Sequence, residues 1–400
     1  MKIKKVTILF PQLDGNPMGC FWTVGVRIYT DEGIYGDGEV AGINTSYACF
    51  GMLRDLCPKL IGRNPLDNEA IWDDIYRTGF CGLNGGQTFF AALGAIDLAL
   101  WDIKGKFFNV PVYQLLGGKK WNKLRSYASQ LQGAWKELKD MGDKNPWNLT
   151  ARKPEEYAAH AKECVDEGFD CVKLDFCQIN EDGRYLSAED WVGPLKPKIL
   201  HMVTDRVAAV REAVGPDVDI IMENHAHLDA QAAVQVGRAC EKFDIMFFEE
   251  PTTPSAKVTK YISDHINIPI AHGERIISRW DYIPYFEDGS IRMIQPDLGN
   301  CGGITEVKKI CDMAYAYGIG VQVHVCGSHL MTPPALHLEA ALPNFIIHEH
   351  HVMTQMPKMA RLTNKTFDPV DGYFEVPEAP GMGVEWSEEA MACEEQITIS

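Results

Sequence analysis

Apolar positions change their period twice along this chain. Over residues 1–40 they alternate. Val24, Val26 and Ile28 fall between polar or small residues, and Asp31-Glu32-Gly33 supplies a turn into Ile34-Tyr35-Gly36, the pattern of antiparallel strands. From about Ser46 to Lys106 they recur at three and four, with Phe89, Ala92, Leu93, Ile96, Leu100 and Ile103 on one helical face. The run Val110 to Gly118 closes this first unit. Beyond it, short apolar runs alternate with amphipathic stretches, the mark of a parallel sheet wrapped by helices. Strands are predicted near 124–130, 170–175, 218–223, 244–249, 268–273, 291–296, 319–324 and 345–349. Helices are predicted near 154–167, 199–214, 229–241, 255–265, 303–317 and 332–341. Eight strands with helices between them favour a closed α/β barrel over an open doubly wound sheet. The division expected is a first domain over 1–123 and a barrel over 124–364. Residues 365–400, with Gly372–Val376 and Gly383–Trp386, are expected to return to the first domain as a short strand and tail.

Four irregular stretches interrupt this pattern. Pro11 to Cys20 is too long for a tight hairpin, and loops of that kind often cover sites. The Gly-rich stretch within 78–87 lacks the Lys-Ser/Thr of a phosphate loop, so nucleotide binding is not expected. Insertions at 132–152 and at 177–198 would emerge on the rim of the barrel and shape a substrate pocket.

Composition narrows the class of partner. The chain has 400 residues, 46% apolar and 23% charged, enough for a sizeable core. Its formal net charge is −17, without Lys or Arg runs beyond a pair, which argues against nucleic acid and anionic membranes. The twelve Cys form no CxxC pair or regular framework, so reduced thiols in a cytoplasmic protein are expected. Met1 leads directly into an edge-strand pattern, and no apolar run reaches membrane-spanning length.

Candidate chemistry concentrates at the ends of the predicted strands. Glu223, Glu249 and Glu274 each close an apolar run, at spacings of 26 and 25 residues, about one strand and one returning helix. Carboxylates in that phase converge on the rim where barrels keep their active sites. Three hard oxygen ligands describe a Mg²⁺ site better than a zinc or copper one. Lys173 and Asp175 share one face of the second strand; a structural ion pair between them is the plainer alternative. His225, two residues after Glu223, points to the same side as that carboxylate, as ligand, acid–base group or support. His227 lies further into the loop and ranks lower. Asp297 and His324 end adjacent strands, where a carboxylate holding one imidazole nitrogen leaves the other as an oriented base. Glu349 ends the eighth strand, placed to orient substrate or to form a rim salt bridge.

Other runs carry a resemblance. They are Ala95-Ile96-Asp97, Leu100-Trp101-Asp102-Ile103-Lys104-Gly105-Lys106, Leu115-Leu116-Gly117-Gly118, Phe248-Glu249-Glu250-Pro251, Gly273-Glu274-Arg275, and Gln295-Pro296-Asp297 with Gly302-Gly303-Ile304-Thr305-Glu306. Together with the strand-end residues they resemble the enolase superfamily, mandelate racemase subgroup, over essentially the whole chain. That resemblance implies a (β/α)₇β TIM-type barrel with an α+β capping domain and one essential Mg²⁺. It also implies abstraction of the proton beside a carboxylate, and an even-numbered homo-oligomer. Within the superfamily the chain is most similar to acid-sugar dehydratases of the galactonate type. There a His two positions after the first metal ligand, here His225, protonates the departing hydroxyl, and the Asp–His pair, here Asp297 and His324, removes the proton. Lys173 matches the first Lys of the racemases' Lys-x-Lys and would neutralise the substrate carboxylate. Asp175 replaces the second Lys, which counts against a racemase or epimerase. Mannonate dehydratases share the long insertion after strand two, Pro343-Asn344-Phe345 and Pro377-Glu378-Ala379-Pro380-Gly381, but not the Asp–His pair. The expected function is removal of the carbon 2 proton and the carbon 3 hydroxyl from a sugar acid, giving a 2-keto-3-deoxy acid. Lys173, Asp175, His225, Glu349 and Arg275 would contact substrate. The alternatives are a mannonate or gluconate dehydratase, a racemase or epimerase of a 2-hydroxy acid, and a catalytically weak sugar-acid binder.

Overall fold

Two sheets organise the chain. A computed structural model describes residues 1–11, 23–40, 45–80, 82–83, 85–140 and 150–400, without the side chains of 139 and 140. Nearly all of the loop expected at 11–20, residues 81 and 84 of the stretch 78–87, and residues 141–149 of the first insertion lie outside the described residues. β1 (Ile3–Leu9), β2 (Val24–Thr30) and β3 (Tyr35–Val40) form an antiparallel meander, with Val24, Val26 and Ile28 buried. Three helices follow: α1 (Ser46–Leu56), α2 (Asn68–Thr78) and α3 (Gln87–Phe108). α3 lies against β3 so closely that a Cβ on Gly36 or Gly38 would fall 2.1 Å from the Ala99 carbonyl oxygen or 1.9 Å from that of Ala95. Glycine on the strand and alanine on the helix are what that approach requires.

The second sheet alternates strand and helix without exception. β4 (Lys123–Ser129) leads to α4 (Pro154–Asp166), β5 (Cys171–Asp175) to α5 (Pro197–Val214), and β6 (Asp219–Glu223) to α6 (Ala230–Cys240). β7 (Ile245–Glu249) is followed by α7 (Ala256–Ser263), β8 (Ile270–His272) by α8 (Arg279–Asp288), and β9 (Met293–Ile294) by α9 (Gly303–Ala316). β10 (Gly320–Val321), α10 (Thr332–Ala341) and β11 (His348–His351) complete the set. All pairings among these eight strands are parallel. β11 returns to β4, and a bridge from Val321 to Phe345 joins the last two, so the order closes on itself. The expected TIM-type barrel with an N-terminal antiparallel capping sheet is the architecture present.

Two expectations are corrected. α8 was not foreseen: its buried residues Tyr282, Tyr285 and Phe286 do recur at three and four, but Pro284, a residue that disfavours helix interiors, sits within it. The strand near 372–376 does not return to the first sheet. β12 (Tyr373–Glu375) pairs antiparallel with β4, and Phe374 is buried edge-on against His348, 4.8 Å between ring centres. Gly383–Trp386 does reach the first sheet, where the Trp386 N–H donates to Asp37 Oδ2 at 2.9 Å and its Nε1 to the Val26 carbonyl at 3.3 Å, and β13 (Gln396–Ile399) pairs along the free edge of β1.

Period two decides what the barrel holds. Tyr127, Cys171, Ile221, Phe247, Ala271, Met293 and Ile347 form one buried apolar cluster inside it. Two residues further along each of those strands come Ser129, Lys173, Glu223, Glu249, Gly273, Gln295 and Glu349. These share the inward face one layer nearer the carboxyl ends.

The cap is fastened to the loops after β9 and β10. Trp72 Nε1 donates to the Gly302 carbonyl at 2.8 Å. Asp97 on α3 accepts from the Thr305 backbone N–H at 2.9 Å and from its hydroxyl at 2.6 Å, while Trp101 Nε1 donates to that hydroxyl oxygen at 2.9 Å. Glu39 on β3 accepts from the Ser328 N–H at 3.0 Å and from its hydroxyl. Both carboxylates are buried, and burial pushes each up to about 7, against the opposing hydrogen bonds.

A carboxyl whose folded pKa lies above its unfolded value stabilises the fold below the unfolded pKa, and that stability is lost as pH rises through the folded one. Wild-type stability should therefore carry a downward contribution from Asp97 between about pH 4 and pH 7. Asp97→Asn keeps the acceptor and removes the titration. Its unfolding midpoint, measured by circular dichroism at pH 5.5 and pH 8, should fall less over that interval than the wild-type midpoint. Identical pH slopes would refute the assignment.

Candidate active site

One lysine faces three carboxylates inside the barrel mouth. Lys173 Nζ lies 2.5 Å from Glu249 Oε1, 2.9 Å from Glu349 Oε1 and 3.3 Å from Glu223 Oε2, with all four side chains buried. Burial opposes the lysine's charge, but Glu249 and Glu349 outweigh it and hold the ammonium well above its ordinary range. Glu349 stands within β11 rather than at its end, and it also accepts from Ser129 Oγ at 2.6 Å and from the Val325 N–H at 3.0 Å. Asp175, Glu223 and Glu249 lie in register across β5, β6 and β7.

Beyond β6 the backbone turns sharply. His225 and Ala226 have φ of 47° and 63°, and Glu250 after β7 has φ of 45°, left-handed conformations that are costly for residues other than glycine. The turns hold each other: the Ala226 N–H donates to the Glu250 carbonyl at 2.8 Å and Asn224 Nδ2 to the Pro251 carbonyl at 2.9 Å. Glu223 Oε1 accepts from the Asn224 and His225 N–H groups at 2.9 and 2.7 Å.

Two Asp–His pairs flank this centre. His225 Nδ1 lies 2.6 Å from Asp175 Oδ2, so this aspartate pairs with the histidine, while Lys173 pairs with glutamates. His324 Nδ1 lies 2.6 Å from Asp297 Oδ2, across a bridge between their two backbones. His225 follows β6 and His324 follows β10, four strands apart in a ring of eight, so they approach from opposite sides. Burial disfavours charge on either ring. Glu223 and Asp175 overcome it at His225, raising the ring to about 9; Glu349 and Asp297 do so at His324, raising it to about 10. His227 is exposed.

Glu274 and Arg275 differ from expectation in their company. Glu274 pairs with Arg275 and, at 2.9 Å, with His324 Nε2, whereas Arg275 also pairs with Glu250. Among the described residues no group of three or more His, Cys, Asp or Glu is gathered as a metal site. Glu223 and Glu249 nevertheless adjoin, and burial together with the Glu223 charge pushes Glu249 well above the usual carboxylate range. Glu249 Oε2 is buried without a hydrogen-bond partner. Three carboxylates against one ammonium, with a free oxygen among them, fit a hard divalent cation.

Sequence reasoning missed the residues that support this centre. Gln130, after β4, places its Nε2 3.1 Å from His225 Nε2, and Gln132 Nε2 donates to Gln130 Oε1 at 2.5 Å. The signal available was position alone, the end of a barrel strand. The insertion 177–198 lines, with the start of α5, a surface cavity of ≈ 580 Å³ that none of the site residues enters. The ten described cysteines are free. No helix among the described residues is long and apolar enough to cross a membrane.

The chain matches two family models: "Enolase C-terminal domain-like" over residues 156–390, and "Mandelate racemase / muconate lactonizing enzyme, N-terminal domain" over 18–117. It is similar to the D-galactonate dehydratase of Pectobacterium atrosepticum, 33% identical over 373 residues that span 91% of this chain and 88% of that protein. The corresponding protein of Cronobacter sakazakii is 32% identical over 380 residues, 93% of this chain and 90% of its own. Among solved structures it is similar to a member of the enolase superfamily from Salmonella Typhimurium, 45% identical with a TM-score of 0.94 over the whole of both chains. The 3,6-anhydro-D-galactonate cycloisomerase from Zobellia galactanivorans is 28% identical with a TM-score of 0.78, covering 97% of each.

Glu249→Gln tests whether that carboxylate binds a cation. Without metal, its charge is disfavoured by burial and by Glu223, so the amide should leave the unfolding midpoint in chelator unchanged or raised. The rise in midpoint that Mg²⁺ gives the wild type should disappear, because a neutral oxygen replaces an anionic ligand. An undiminished Mg²⁺-induced rise would remove Glu249 from the metal set.

Proposed function

The chain belongs to the mandelate racemase/muconate lactonizing enzyme family of the enolase superfamily, and from that premise we propose that it is a Mg²⁺-dependent dehydratase of a sugar acid, D-galactonate or a related aldonate, acting in the cytoplasm. The observation that carries this reading is the pair of Asp–His couples approaching one carboxylate-rich centre from opposite sides. Dehydration of a 2,3-dihydroxy acid needs two proton transfers at neighbouring carbons: removal at carbon 2 and delivery to the hydroxyl on carbon 3.

Glu223, Glu249 and Glu274 would hold the cation, Glu274 on leaving Arg275 and His324. Bound Mg²⁺ supplies Lewis-acid stabilisation of negative charge on the substrate carboxylate. Lys173, fixed beside Glu249 and Glu349, adds positive charge to the same wall. His324 keeps its Nδ1 hydrogen bond to Asp297 and presents Nε2 to the carbon 2 proton; turning Glu274 away from His324 frees that nitrogen. His225, braced by Asp175, delivers a proton to the leaving hydroxyl. The resulting enol tautomerises to the 2-keto-3-deoxy acid. Asp175 is committed to His225 and to the Cys177 N–H, 2.8 Å away, so it is not placed as the second base a racemase requires.

In D₂O, His324→Asn should lose both deuterium exchange at carbon 2 and keto-acid formation. His225→Asn should form keto acid roughly 10²–10⁴-fold more slowly, the range for one acid–base group, while keeping His324-dependent exchange into recovered substrate. Elimination at the wild-type rate in His225→Asn would sink the general-acid role. Wild-type exchange in His324→Asn would assign the base to another residue.

A further inference from the structure

We propose that Gln130 binds the departing hydroxyl of the substrate jointly with His225, making it a specificity-determining residue for the carbon 3 hydroxyl. The proposal rests on the dehydratase reading above and adds a residue to it.

The argument begins at a backbone N–H, whose role as donor is not open to choice. The Asp175 N–H donates to Gln132 Oε1 at 3.0 Å, which settles which end of that buried amide carries the oxygen. Gln132 Nε2 is then the donor to Gln130 Oε1 at 2.5 Å. Gln130 Nε2 is therefore the atom that faces His225 Nε2 at 3.1 Å, and His225 Nδ1 returns to Asp175 Oδ2 at 2.6 Å. The bonds form a closed ring that begins and ends on Asp175. The Asp175 N–H gives each amide in it a single orientation, and with His225 neutral every donor meets an acceptor.

An amide nitrogen carries two hydrogens. While His225 Nε2 is an acceptor, one of those on Gln130 Nε2 is donated to it; when His225 carries the proton it delivers, both nitrogens are donors, and the second amide hydrogen has no protein acceptor among the described residues in either state. It sits beside the ring nitrogen assigned to the leaving oxygen, so a hydroxyl oxygen entering there can accept it. The backbone supports a functional reading of this position. Gln130 has φ of 65°, a left-handed conformation that a residue with a side chain adopts against a steric penalty, at the carboxyl end of the first barrel strand. Ser129, its neighbour, is anchored to Glu349, so the turn is held from the barrel side. The ligand class that fits is a polyhydroxy carboxylic acid with a hydroxyl on carbon 3.

The test compares two substrates across variants. Mg²⁺-loaded wild type, Gln130→Ala and Gln130→Glu are assayed for deuterium exchange at carbon 2. The first substrate is whichever of D-galactonate, D-gluconate, D-mannonate and D-arabinonate the wild type turns over fastest; the second is its 3-deoxy counterpart. Gln130→Glu keeps the side chain's size but offers no N–H, so it stands if the alanine variant folds poorly. In both variants the loss in kcat/KM on the full aldonate should exceed the loss on the 3-deoxy acid by about 10-fold, the worth of one hydrogen bond to a hydroxyl. Equal losses on the two acids would make Gln130 a structural support only and overturn the proposal. No loss on the aldonate would overturn it as well. A wild type that exchanges none of the four acids would instead bring down the dehydratase reading, and this inference with it.

Discussion

The contact on which the site depends is the buried cluster of Lys173 with Glu223, Glu249 and Glu349. Desolvating four ionised groups costs several kcal/mol for each ion, and mutual attraction repays it only where signs balance. Here they do not balance: three carboxylates meet one ammonium. The surplus appears physically as a Glu249 held well above the usual carboxylate range and as an oxygen without a partner. A protein core would replace such a cluster with apolar side chains. Its persistence above the apolar layer of Tyr127, Ile221, Phe247 and Ile347 is what marks the barrel mouth as a site for a further positive charge.

From that centre the constraint spreads outward through the strand-end turns. Left-handed residues at Gln130, His225 and Glu250 redirect the chain where β4, β6 and β7 end, and the side chains of the first two meet there, 3.1 Å apart. Each strained turn is tied to something fixed: Gln130 follows the Ser129–Glu349 bond, His225 the Glu223 carboxylate, and Glu250 the Ala226 N–H. The cap acts on the other half of the ring. Asp97 and Trp72 grip the start of α9, and Glu39 grips Ser328, so the segments after Asp297 and after His324 are both clamped from the first sheet. Changes in the cap should thus be felt by the proposed base as well as by fold stability.

Local periodicity made much of this legible in the sequence alone. The eight short apolar runs, most of the intervening helical faces and the strand-end positions of Glu223 and Glu249 are properties of short segments. They survive into the structure because a barrel strand buries whatever its alternation presents. The Asp297–His324 contact was legible for the same reason, since adjacent parallel strands must bring their ends together. Helix α8 was hidden by Pro284, and the partner of the strand near 373 could not be read from its own residues, which say that it pairs but not with what. Which atoms meet in the mouth was decided only by closure of the ring. That closure set Asp175 against His225, ran the bonds of Gln130 and Gln132 between them, and turned Glu274 toward Arg275 and His324. The long-range contacts of Gln130, Gln132, Asp175 and His225 join segments 43 to 95 residues apart, and their geometry depends on strand stagger and on left-handed turns that no local pattern of polar and apolar residues encodes.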